Sequence, residues 1–378
     1  MKRHSDESRL ILFGRYPVPG LTKTRLIPLL GAARAAEFQR ELTERTLRTD
    51  RSVARRRAAD LEACFEGGSR AKLRRWLGPD LLFSQQSSGD LGERMKTAFV
   101  GAFRQGAQQV ILHGTDIPGL TSQHVEEAFD ALKSHDLVLG PSTDGGYWLI
   151  GLKKPADLFD RMEWGTSSVF DKTVAAARRQ GLSFHALGPL TDMDTGEAVR
   201  RWMPDWARPQ PYLSVIIPAL NEAAHIEETI LNAWSLDAEI IVVDGGSRDR
   251  TAERAEHAGA VVIKGPRGRA LQQNRGAAAA SGSVLLFLHA DTLLPKDYVI
   301  QVFETLMDRR VALGAFRFKT NLDRSLMRGI EFITHFRSRY LRLPYGDQAL
   351  FVRKSLFVAA GGFPEMPIAE DLFFVRLV

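Results

Sequence analysis

Each half of this 378-residue sequence contains an apolar run that ends close to an aspartate. Asp116 follows the run that starts at Val110, and Asp291 follows the run that starts at Val284, with a proline soon after each aspartate. Short apolar runs of this kind predict buried strands. Ligands of open α/β sheets bind at the carboxyl ends of the strands, and carboxylate oxygens suit hard divalent cations. The pattern therefore predicts one carboxylate at the ligand-binding edge of each half.

Further carboxylates of the second half stand in positions that suit ligand binding or proton transfer. Asp244 follows the predicted strand Glu239 to Val243 and enters a loop that starts with Gly245, where glycine lets a ligand approach the backbone. Glu370 and Asp371 form an acidic pair that could take the proton of an attacking hydroxyl. Structural alternatives stay open: a capped turn at Asp244, a turn or helix cap at Asp291, and an acid-rich helix start at the Glu-Asp pair.

The loop after the first apolar run combines glycine with basic residues. It extends from Phe13 to Leu26 and contains Gly14, Lys23 and Arg25. Glycine and basic residues in a loop that follows a strand suit the binding of phosphate groups. The loop lacks the Gly-Lys-Ser/Thr ending of a Walker motif, which argues against a P-loop ATPase.

These residues need strands to position them, and the pattern of apolar runs supplies candidates. Buried-type strands are predicted at Leu10 to Phe13 and at Leu213 to Ile217, and amphipathic helices at Arg34 to Arg48 and at Glu222 to Trp234. Alternation of short strands with helices is typical of a mainly parallel sheet with helices on both faces. The predicted fold class is therefore α/β in both halves.

The segment Pro204 to Tyr212 contains three prolines, which disfavour a helix and a central strand. A chain of this length can support two cores. We therefore predict two domains, residues 1–207 and 208–378, that fold independently.

Composition narrows the functional classes. The 44% hydrophobic and 25% charged residues are ordinary for a globular protein, and the single cysteine, Cys64, excludes an intrachain disulfide and a cysteine-based metal site. The net charge of +6 comes from dispersed basic residues without a nucleic-acid motif. The apolar runs are too short to span a bilayer, and the polar start lacks a signal peptide. We expect a cytoplasmic protein.

The stretch 326–343 is basic and partly aromatic. It predicts either an ordinary packed face or peripheral contact with the membrane's inner face.

The motifs of the second half follow one another in the order Asp244-Gly245, His289 to Asp291 and Glu370-Asp371. This order resembles that of the family 2 nucleotide-sugar glycosyltransferases, which have the GT-A fold, over residues 213–378. The nearest resemblance is to a bacterial subgroup of the arsenosugar-biosynthesis type. The resemblance implies Asp371 as the catalytic base of inverting transfer, Glu370 as an acceptor contact, and Asp291 as a ligand of Mg²⁺ or Mn²⁺. Asp291 matches the last aspartate of the family's Asp-x-Asp motif, with His289 at the first position. The donor-binding residues implied by the resemblance are Pro218, Asn221, Glu222, Asp244, Gly245, Arg269, Asn274 and Asp347.

The motifs of the first half resemble a poorly characterised bacterial family described as glycosyltransferase-like, over residues 10–201. Its fold is related to that of sugar-phosphate and phospholactate nucleotidyltransferases. The resemblance implies that Lys23 and Arg25, in the loop that starts at Gly14, bind a triphosphate or pyrophosphate. It further implies a metal shared by Asp116 and Asp194, and a substrate pocket shaped by Asp144 to Tyr147. Turns and caps of a degenerate, non-catalytic domain are the structural alternative.

The sequence thus predicts two GT-A-like, Rossmann-like nucleotide-binding domains in tandem. The predicted function is metal-dependent transfer of a sugar from a nucleotide diphosphate donor to the hydroxyl of a small-molecule or lipid acceptor. The alternatives are nucleotidyl transfer by the first domain, which would make a nucleotide sugar or related adduct, and a non-catalytic nucleotide-binding scaffold. The resemblance also implies a longer carboxyl end than this sequence has. We expect the helix that carries Asp371 to be the least protected part of its domain and transfer to be weak.

Overall fold

The computed structural model describes residues 8–160, 162–320, 331–332, 334–338, 343–366 and 369–378. The chain divides into two compact units. The first consists of residues 1–29 and 35–208, and the second of residues 30–34 and 209–378. The division after Arg208 lies within the proline-rich segment. Pro204–Ala207 nevertheless forms one helical turn, because proline is compatible with the first turn of a helix.

The first unit is built on a mixed sheet with helices packed around it. Its strands are β1 Ser8–Arg15, β2 Asp60–Glu66, β3 Leu82–Gln85, β4 Gln109–His113, β5 Leu137–Pro141, β6 Tyr147–Leu152 and β7 Phe184–Ala186. The sheet order is β3-β2-β1-β4-β6-β5-β7. Strands β3 to β4 in this order run parallel, and β6 is antiparallel to both its neighbours.

Helices connect these strands, and their starts follow from local capping. The helix at Leu91 begins after Asp90, whose carboxylate accepts from the Glu93 N–H in a capping box. The helix at Arg70 begins after Ser69, whose hydroxyl accepts from the Lys72 N–H. The helices described before residue 208 are Ile27–Leu30, Ala32–Arg57, Arg70–Leu77, Leu91–Arg104, Ser122–Ala131, Val169–Arg179, Gly196–Trp202 and Pro204–Ala207, with a 3₁₀ turn at Thr24–Leu26.

The second unit repeats the plan. Its strands are β8 Leu213–Ala219, β9 Ala238–Asp244, β10 Val261–Lys264, β11 Val284–Phe287, β12 Leu313–Gly314 and β13 Leu350–Arg353. The sheet order is β10-β9-β8-β11-β13-β12. The described helices are Ile226–Ala233, Thr251–His257, Arg269–Ala279, Tyr298–Leu306, Lys354–Ala359 and Glu370–Leu377, with a 3₁₀ turn at Gly346–Gln348.

The two sheets share the same strand order when strands are counted from the start of each unit. In both, the first and fourth strands are parallel neighbours, β1 with β4 and β8 with β11. The second and third strands of each unit lie on one side of this pair, and the later strands lie on the other side. The loops that follow the two paired strands therefore border a crevice at the carboxyl ends of these strands. The predicted α/β fold class with two mainly parallel sheets is confirmed.

The carboxyl-terminal helix is anchored in the core of the second unit. Phe374 is fully buried, and its ring centroid lies 4.9 Å from that of Phe363 and 5.1 Å from that of Phe357. The short helix that carries Asp371 is therefore stabilised by packing rather than by its length.

A buried ion pair supports the fourth strand of the first unit. His113 ends β4, and its Nε2 lies 3.1 Å from Oδ1 of Asp50, with both side chains fully buried. Burial lowers the pKa of His113, but the charge of Asp50 outweighs it and raises the pKa above its ordinary value. The pair holds the strand end from which the loop to Asp116 starts.

We expect Asp50→Asn to reduce the local free energy of unfolding by about 3–5 kcal/mol, because removing one partner leaves a buried group uncompensated. Hydrogen exchange of the β4 amides measures this. The pair contributes fully below the ordinary pKa of histidine, so the difference from wild type should shrink as pH rises through the raised pKa of His113. The exposed pair Lys172–Glu163 supplies the control Glu163→Gln, for which we expect no measurable change in the exchange of the β4 amides. A loss no larger than the control's contradicts the assignment.

Candidate functional site

In the second unit, the loops after β8 and β9 are tied together. Asn221 lies in the left-handed region with φ 57°, a conformation that asparagine tolerates better than most residues. Its N–H donates to Ser247 Oγ over 2.9 Å, and its Oδ1 accepts from the Arg248 N–H over 2.8 Å. The Glu222 N–H donates to Thr251 Oγ1 over 2.8 Å. These bonds preorganise the two loops at one edge of the sheet.

Asp244 is buried at the end of β9 and closes the turn that follows it. Its carboxylate accepts from the Ser247 hydroxyl over 2.5 Å and from the N–H groups of Gly246 and Ser247 over 3.2–3.3 Å. A side chain on Gly245 would have its Cβ only 3.0 Å from the Gln272 amide nitrogen, so glycine leaves room for Gln272 to keep its bonds to the Ala219 and Val243 carbonyls. This geometry is the capped turn that the structural alternative describes.

Two other residues implied by the resemblance are engaged in the framework. Pro218 lies within β8, opposite Val243 of β9. Asn274 clamps Phe363: its amide nitrogen donates to the Phe363 carbonyl over 2.8 Å, and its Oδ1 accepts from the Phe363 N–H over 2.9 Å. Both Asn274 bonds hold the segment that leads to Glu370 and Asp371.

A cluster of titratable groups forms around Gly346. Its N–H donates to Asp371 Oδ2 over 2.5 Å. A Cβ on Gly346 would lie 3.1 Å from that oxygen and 3.3 Å from His289 Nε2, so glycine lets His289 and Asp371 flank the same corner. Burial, and then the charge of Arg269, lowers the pKa of His289 against the opposing charges of Asp291, Asp347 and Asp371. Burial raises the pKa of Asp347.

This cluster contains buried polar atoms that no described residue satisfies. They are His289 Nε2, Asp347 Oδ1 and Glu370 Oε1. Glu370 is 2% exposed, and its nearest cation is the half-exposed Arg269, whose Nε lies 3.7 Å from Oε1. A buried polar group without a hydrogen bond costs about 1–3 kcal/mol. The cluster therefore retains hydrogen-bonding capacity that a polar ligand would satisfy.

Asp291 stands at the turn after β11 with an exposed carboxylate. The hydroxyl of Thr292 lies 3.4 Å from its Oδ1, a long distance for a hydrogen bond. No set of three or more His, Cys, Asp or Glu side chains among the described residues is close enough to hold a metal ion. Asp291 fits a cation whose remaining ligands come from a bound molecule, as hard cations accept phosphate and water oxygens.

In the first unit, Lys23 stands between the two predicted metal ligands. Its ammonium lies 2.6 Å from Asp194 Oδ1, 3.1 Å from Asp116 Oδ2 and 3.0 Å from the Met193 carbonyl oxygen. Burial lowers the pKa of Lys23, but the charges of Asp116 and Asp194 outweigh it and raise the pKa above its ordinary value. Lys23 has φ 51°, an unusual conformation for lysine. A metal shared by the two aspartates requires this ammonium to move.

Asp116 borders three adjoining cavities. One of about 410 Å³ includes Gly14 and Gln86, and one of about 210 Å³ includes Lys23 and Arg25. The third, of about 340 Å³, extends under β6 and includes Asp144 and Asp194. Gln39 positions the aspartate through Thr115: the Gln39 amide donates to Thr115 Oγ1 over 2.7 Å, and that hydroxyl donates to Asp116 Oδ1 over 3.2 Å.

Sequence reasoning did not select Asp192, although it stands two residues before Asp194 in an Asp-Met-Asp-Thr segment. Burial, together with the charges of Asp194 and Asp144, raises the pKa of Asp192 to about 6. The spacing of two residues between Asp192 and Asp194 is the sequence signal from which Asp192 could have been selected. The Asp144 carboxylate closes its own loop by accepting from the Gly146 N–H over 3.0 Å.

The stretch predicted as a possible membrane contact, 326–343, lies partly outside the described residues, at 326–330, 333 and 339–342. In its described part, Phe332 is 69% exposed and Phe336 48%. Among the described helices, none combines the length and the apolar character that a bilayer span needs.

Family models match both halves of the chain. The family described as Glycosyl transferase family 2 matches residues 214–363. The family described as an uncharacterized protein conserved in bacteria, DUF2064, matches residues 46–166. The predicted combination of a family 2 domain with a domain of a poorly characterised bacterial family is thereby confirmed.

Individual relatives are similar over shorter or longer stretches. Glucosyl-3-phosphoglycerate synthase of Mycobacterium tuberculosis is 37% identical over 98 residues, covering 22% of this chain and 30% of that enzyme. Dolichol-phosphate mannosyltransferase of Pyrococcus furiosus is 34% identical over 114 residues, covering 27% of this chain and 32% of that enzyme. The chain thus spans about a third of the length of these curated relatives.

For one solved structure, the similarity extends over a larger share of that protein than it does for the curated enzymes. It is a Desulfovibrio desulfuricans G20 protein provisionally named a nucleotide-diphospho-sugar transferase, 36% identical, covering 53% of this chain and 88% of that chain, with a TM-score of 0.49. The enzyme class of the chain rests on the match of residues 214–363 to Glycosyl transferase family 2 and on the likeness to the two curated glycosyltransferases. The prediction of a glycosyltransferase-type enzyme is confirmed at the level of the family.

We expect Lys23→Met to open a divalent cation site in the first unit, because the substitution leaves the carboxylates of Asp116 and Asp194 uncompensated. Electron paramagnetic resonance of free Mn²⁺ counts the ions bound per chain. The variant should bind one more ion than wild type, whereas the exposed control Lys133→Met should not. Equal Mn²⁺ binding by wild type and Lys23→Met, lost in Asp116→Asn, would show that the ammonium does not occupy the cation position.

Proposed function

We propose that the second unit transfers a sugar from a nucleoside diphosphate donor to an acceptor hydroxyl, with inversion at the anomeric carbon. The observation that carries this proposal is the cluster around Gly346, in which Asp371 and His289 flank one corner and three buried polar atoms have no described partner. Most of the cluster lies within the residues that match Glycosyl transferase family 2. Asp371 follows shortly after the matched segment.

Asp371 is the group we assign to the acceptor proton. The oxygen of the acceptor attacks the anomeric carbon, and the bond from that carbon to the donor's phosphate oxygen breaks. The electron pair of this bond leaves with the nucleoside diphosphate, and the acceptor proton passes to Asp371. The N–H groups of Gly346 and Leu372 donate to its two oxygens over 2.5 and 2.7 Å, which fixes the orientation of the carboxylate.

Glu370 and Arg269 complete the acceptor and donor sides. Glu370 is buried with one oxygen unsatisfied, so it can accept a hydrogen bond from an acceptor hydroxyl. Arg269 begins a helix and is 55% exposed at its side chain, so its charge remains available to donor phosphates. We assign Asp347, which has an unsatisfied buried oxygen, to the donor sugar.

The loops after β8 and β9 are the proposed nucleotide site. Asn221, Glu222, Asp244 and Gly245 lie there, with Pro218 at the end of β8 and Asn274 supporting the segment before Glu370. A divalent cation, Mg²⁺ or Mn²⁺, held by Asp291 and the donor's phosphate oxygens would neutralise the charge that develops on the leaving diphosphate. Membership of the arsenosugar-biosynthesis-type subgroup remains a prediction from the sequence motifs.

A second candidate function belongs to the first unit. Three cavities meet at Asp116, and the one of about 210 Å³ contains Arg15, Lys23 and Arg25. A basic cavity beside a carboxylate cluster suits nucleotidyl transfer, in which an oxygen of a second substrate attacks the α-phosphorus of a nucleoside triphosphate and pyrophosphate leaves. Release of pyrophosphate from a nucleoside triphosphate by the chain with an inactivated Asp371 would favour this function. Nucleotide binding by both units without turnover would favour a scaffold.

We expect Asp371→Asn to keep donor affinity while the rate of transfer falls by roughly 10²–10⁴-fold, the usual contribution of general base catalysis. Calorimetry with a panel of UDP- and GDP-sugars gives the affinity, and release of the nucleoside diphosphate gives the rate. Glu253→Gln, in an exposed ion pair of the same unit, is the matched control. Transfer at the wild-type rate by Asp371→Asn contradicts the assigned role.

We expect Asp291→Asn to abolish the dependence of donor binding on Mn²⁺, because asparagine keeps the shape of the side chain but removes its charge. Donor affinity is measured with and without Mn²⁺ for wild type and variant. A variant whose donor affinity still rises on addition of Mn²⁺ would assign the cation to other ligands.

A further inference from the structure

We propose that the acceptor of the second unit carries an anionic group, a phosphate or a carboxylate, and that Arg337 binds this group. The inference rests on the proposed sugar transfer, because it names the chemical class of the acceptor. Three kinds of observation support it: a guanidinium that is held in place, a buried nitrogen of that guanidinium without a partner, and the position of Arg337 beside Asp347 of the cluster around Gly346.

Arg337 belongs to the basic, partly aromatic stretch 326–343, in which residues 334–338 are helical. Two contacts hold its guanidinium. The central carbon Cζ lies 3.4 Å from the centroid of the Tyr345 ring, and Nε donates to the Leu343 carbonyl over 3.1 Å. A cation over the face of an aromatic ring is attracted by the ring electrons. The guanidinium is therefore oriented before a ligand binds.

The helical segment that carries Arg337 is tied to the turn Gly346–Gln348. The Oε1 atom of Gln348 accepts from Ser338 Oγ over 2.6 Å and from the Tyr345 N–H over 3.2 Å. Gln348 is buried, so water competes little for these bonds. The first residue of the same turn, Gly346, donates to the carboxylate of the proposed base. Arg337 is thus fixed to the turn that orients the base.

One terminal nitrogen of Arg337, Nη2, is buried and has no hydrogen-bond partner among the described residues. A guanidinium is always charged in proteins, and its planar fork of N–H donors matches the oxygens of carboxylates and phosphates. An unpaired buried donor costs stability, more so when it is charged. Because hydrogen bonds between ionised groups are the stronger ones, an anionic oxygen would satisfy Nη2 better than a neutral hydroxyl.

The charge of Arg337 acts on Asp347. Burial raises the pKa of Asp347, and the neighbouring charge of Arg337 opposes this rise. Asp347 Oδ1 is itself buried without a partner in the part of the chain that the structure describes, so it does not bond to Nη2 of Arg337. The two residues interact through charge while each keeps one atom unpaired. A ligand that has both an anionic group and a hydroxyl would satisfy both atoms.

The donor phosphates have another arginine at a different part of the cluster. Arg269 Nε lies 3.7 Å from Glu370 Oε1, and after burial its charge is what lowers the pKa of His289. Arg337 acts instead at Asp347, which we assign to the donor sugar. Since the acceptor hydroxyl attacks that sugar, a cation beside Asp347 is suited to hold the acceptor. Arg337 therefore remains for an anionic group that the acceptor brings.

Calorimetry on the full chain, with Mg²⁺ and saturating UDP or GDP, tests the proposal, because the bound nucleotide fills the donor phosphate positions. The anionic probes are sn-glycerol 3-phosphate and D-glycerate, and glycerol is the neutral probe. We expect at least one anionic probe to bind saturably and at least about tenfold more tightly than glycerol, as the stronger bond to an ionised group requires. Absence of saturable binding by both anions overturns the proposal.

Failure of both nucleotides to bind would contradict the proposed sugar transfer instead. The same probes titrated without nucleotide then report on the anion site by itself, so the two failures are distinguishable.

Variants test whether Arg337 makes the contact. We expect Arg337→Met to weaken binding of the anionic probe by roughly 10–100-fold, in line with the loss of a hydrogen bond to a charged group, and to leave nucleotide affinity within about twofold of wild type. Arg337→Lys keeps the charge without the planar fork and should lose less. Arg310→Met, which breaks an exposed ion pair with Asp308 in the same unit, is the control and should bind the probe like wild type.

Thermal melts verify that the variants fold. Unchanged affinity of the folded Arg337→Met chain for the anionic probe overturns the proposal. An equal loss of nucleotide and probe affinity in that folded variant overturns it as well, because it would assign the guanidinium to the donor phosphates.

Discussion

The outward turn of the chain from a central pair of parallel strands is the constraint on which both candidate sites depend. In each unit the first and fourth strands are neighbours, and the strands that follow extend the sheet in opposite directions. The loops after this pair cannot cover one another, so a crevice remains at their carboxyl ends. Asp116 follows β4 and Asp291 follows β11, and both aspartates reach such a crevice. The rest of each fold supports these loops, through the His113–Asp50 pair in one unit and the Asn274–Phe363 clamp in the other.

The two units treat the charge at this edge differently. In the first, the Lys23 ammonium already lies between Asp116 and Asp194, so much of the carboxylate charge is neutralised by the protein itself. In the second, Asp291 is exposed, and His289, Asp347 and Glu370 each carry a buried polar atom without a partner among the described residues. Buried polar groups without partners reduce stability, and each calls for an explanation such as a catalytic role or a bound water or ion. We therefore expect this part of the second unit to be organised for binding rather than for stability.

The sequence predicted the framework well because strand periodicity and capping are local. The predicted strands Leu10 to Phe13 and Leu213 to Ile217 lie within β1 and β8. The helix predicted from Glu222 begins instead at Ile226, after a turn in which the N–H groups of Glu222 and Ala223 donate to Thr251 and Asp249. Contacts between residues far apart in the sequence could not be predicted from local patterns. The Lys23–Asp194 contact joins residues 171 positions apart, and the Asn274–Phe363 clamp joins residues 89 apart. Spacing along the chain carries no signal for either.

We propose a single displacement at the cluster around Gly346, with Asp371 as the base. Proton NMR of the sugar first released when the full chain hydrolyses an α-linked UDP- or GDP-sugar, with water as acceptor, tests this most directly. One displacement inverts the anomeric centre, so the account predicts that the β anomer appears first and equilibrates later. Initial appearance of the α anomer would mean two displacements or a different nucleophile, and it would contradict the account.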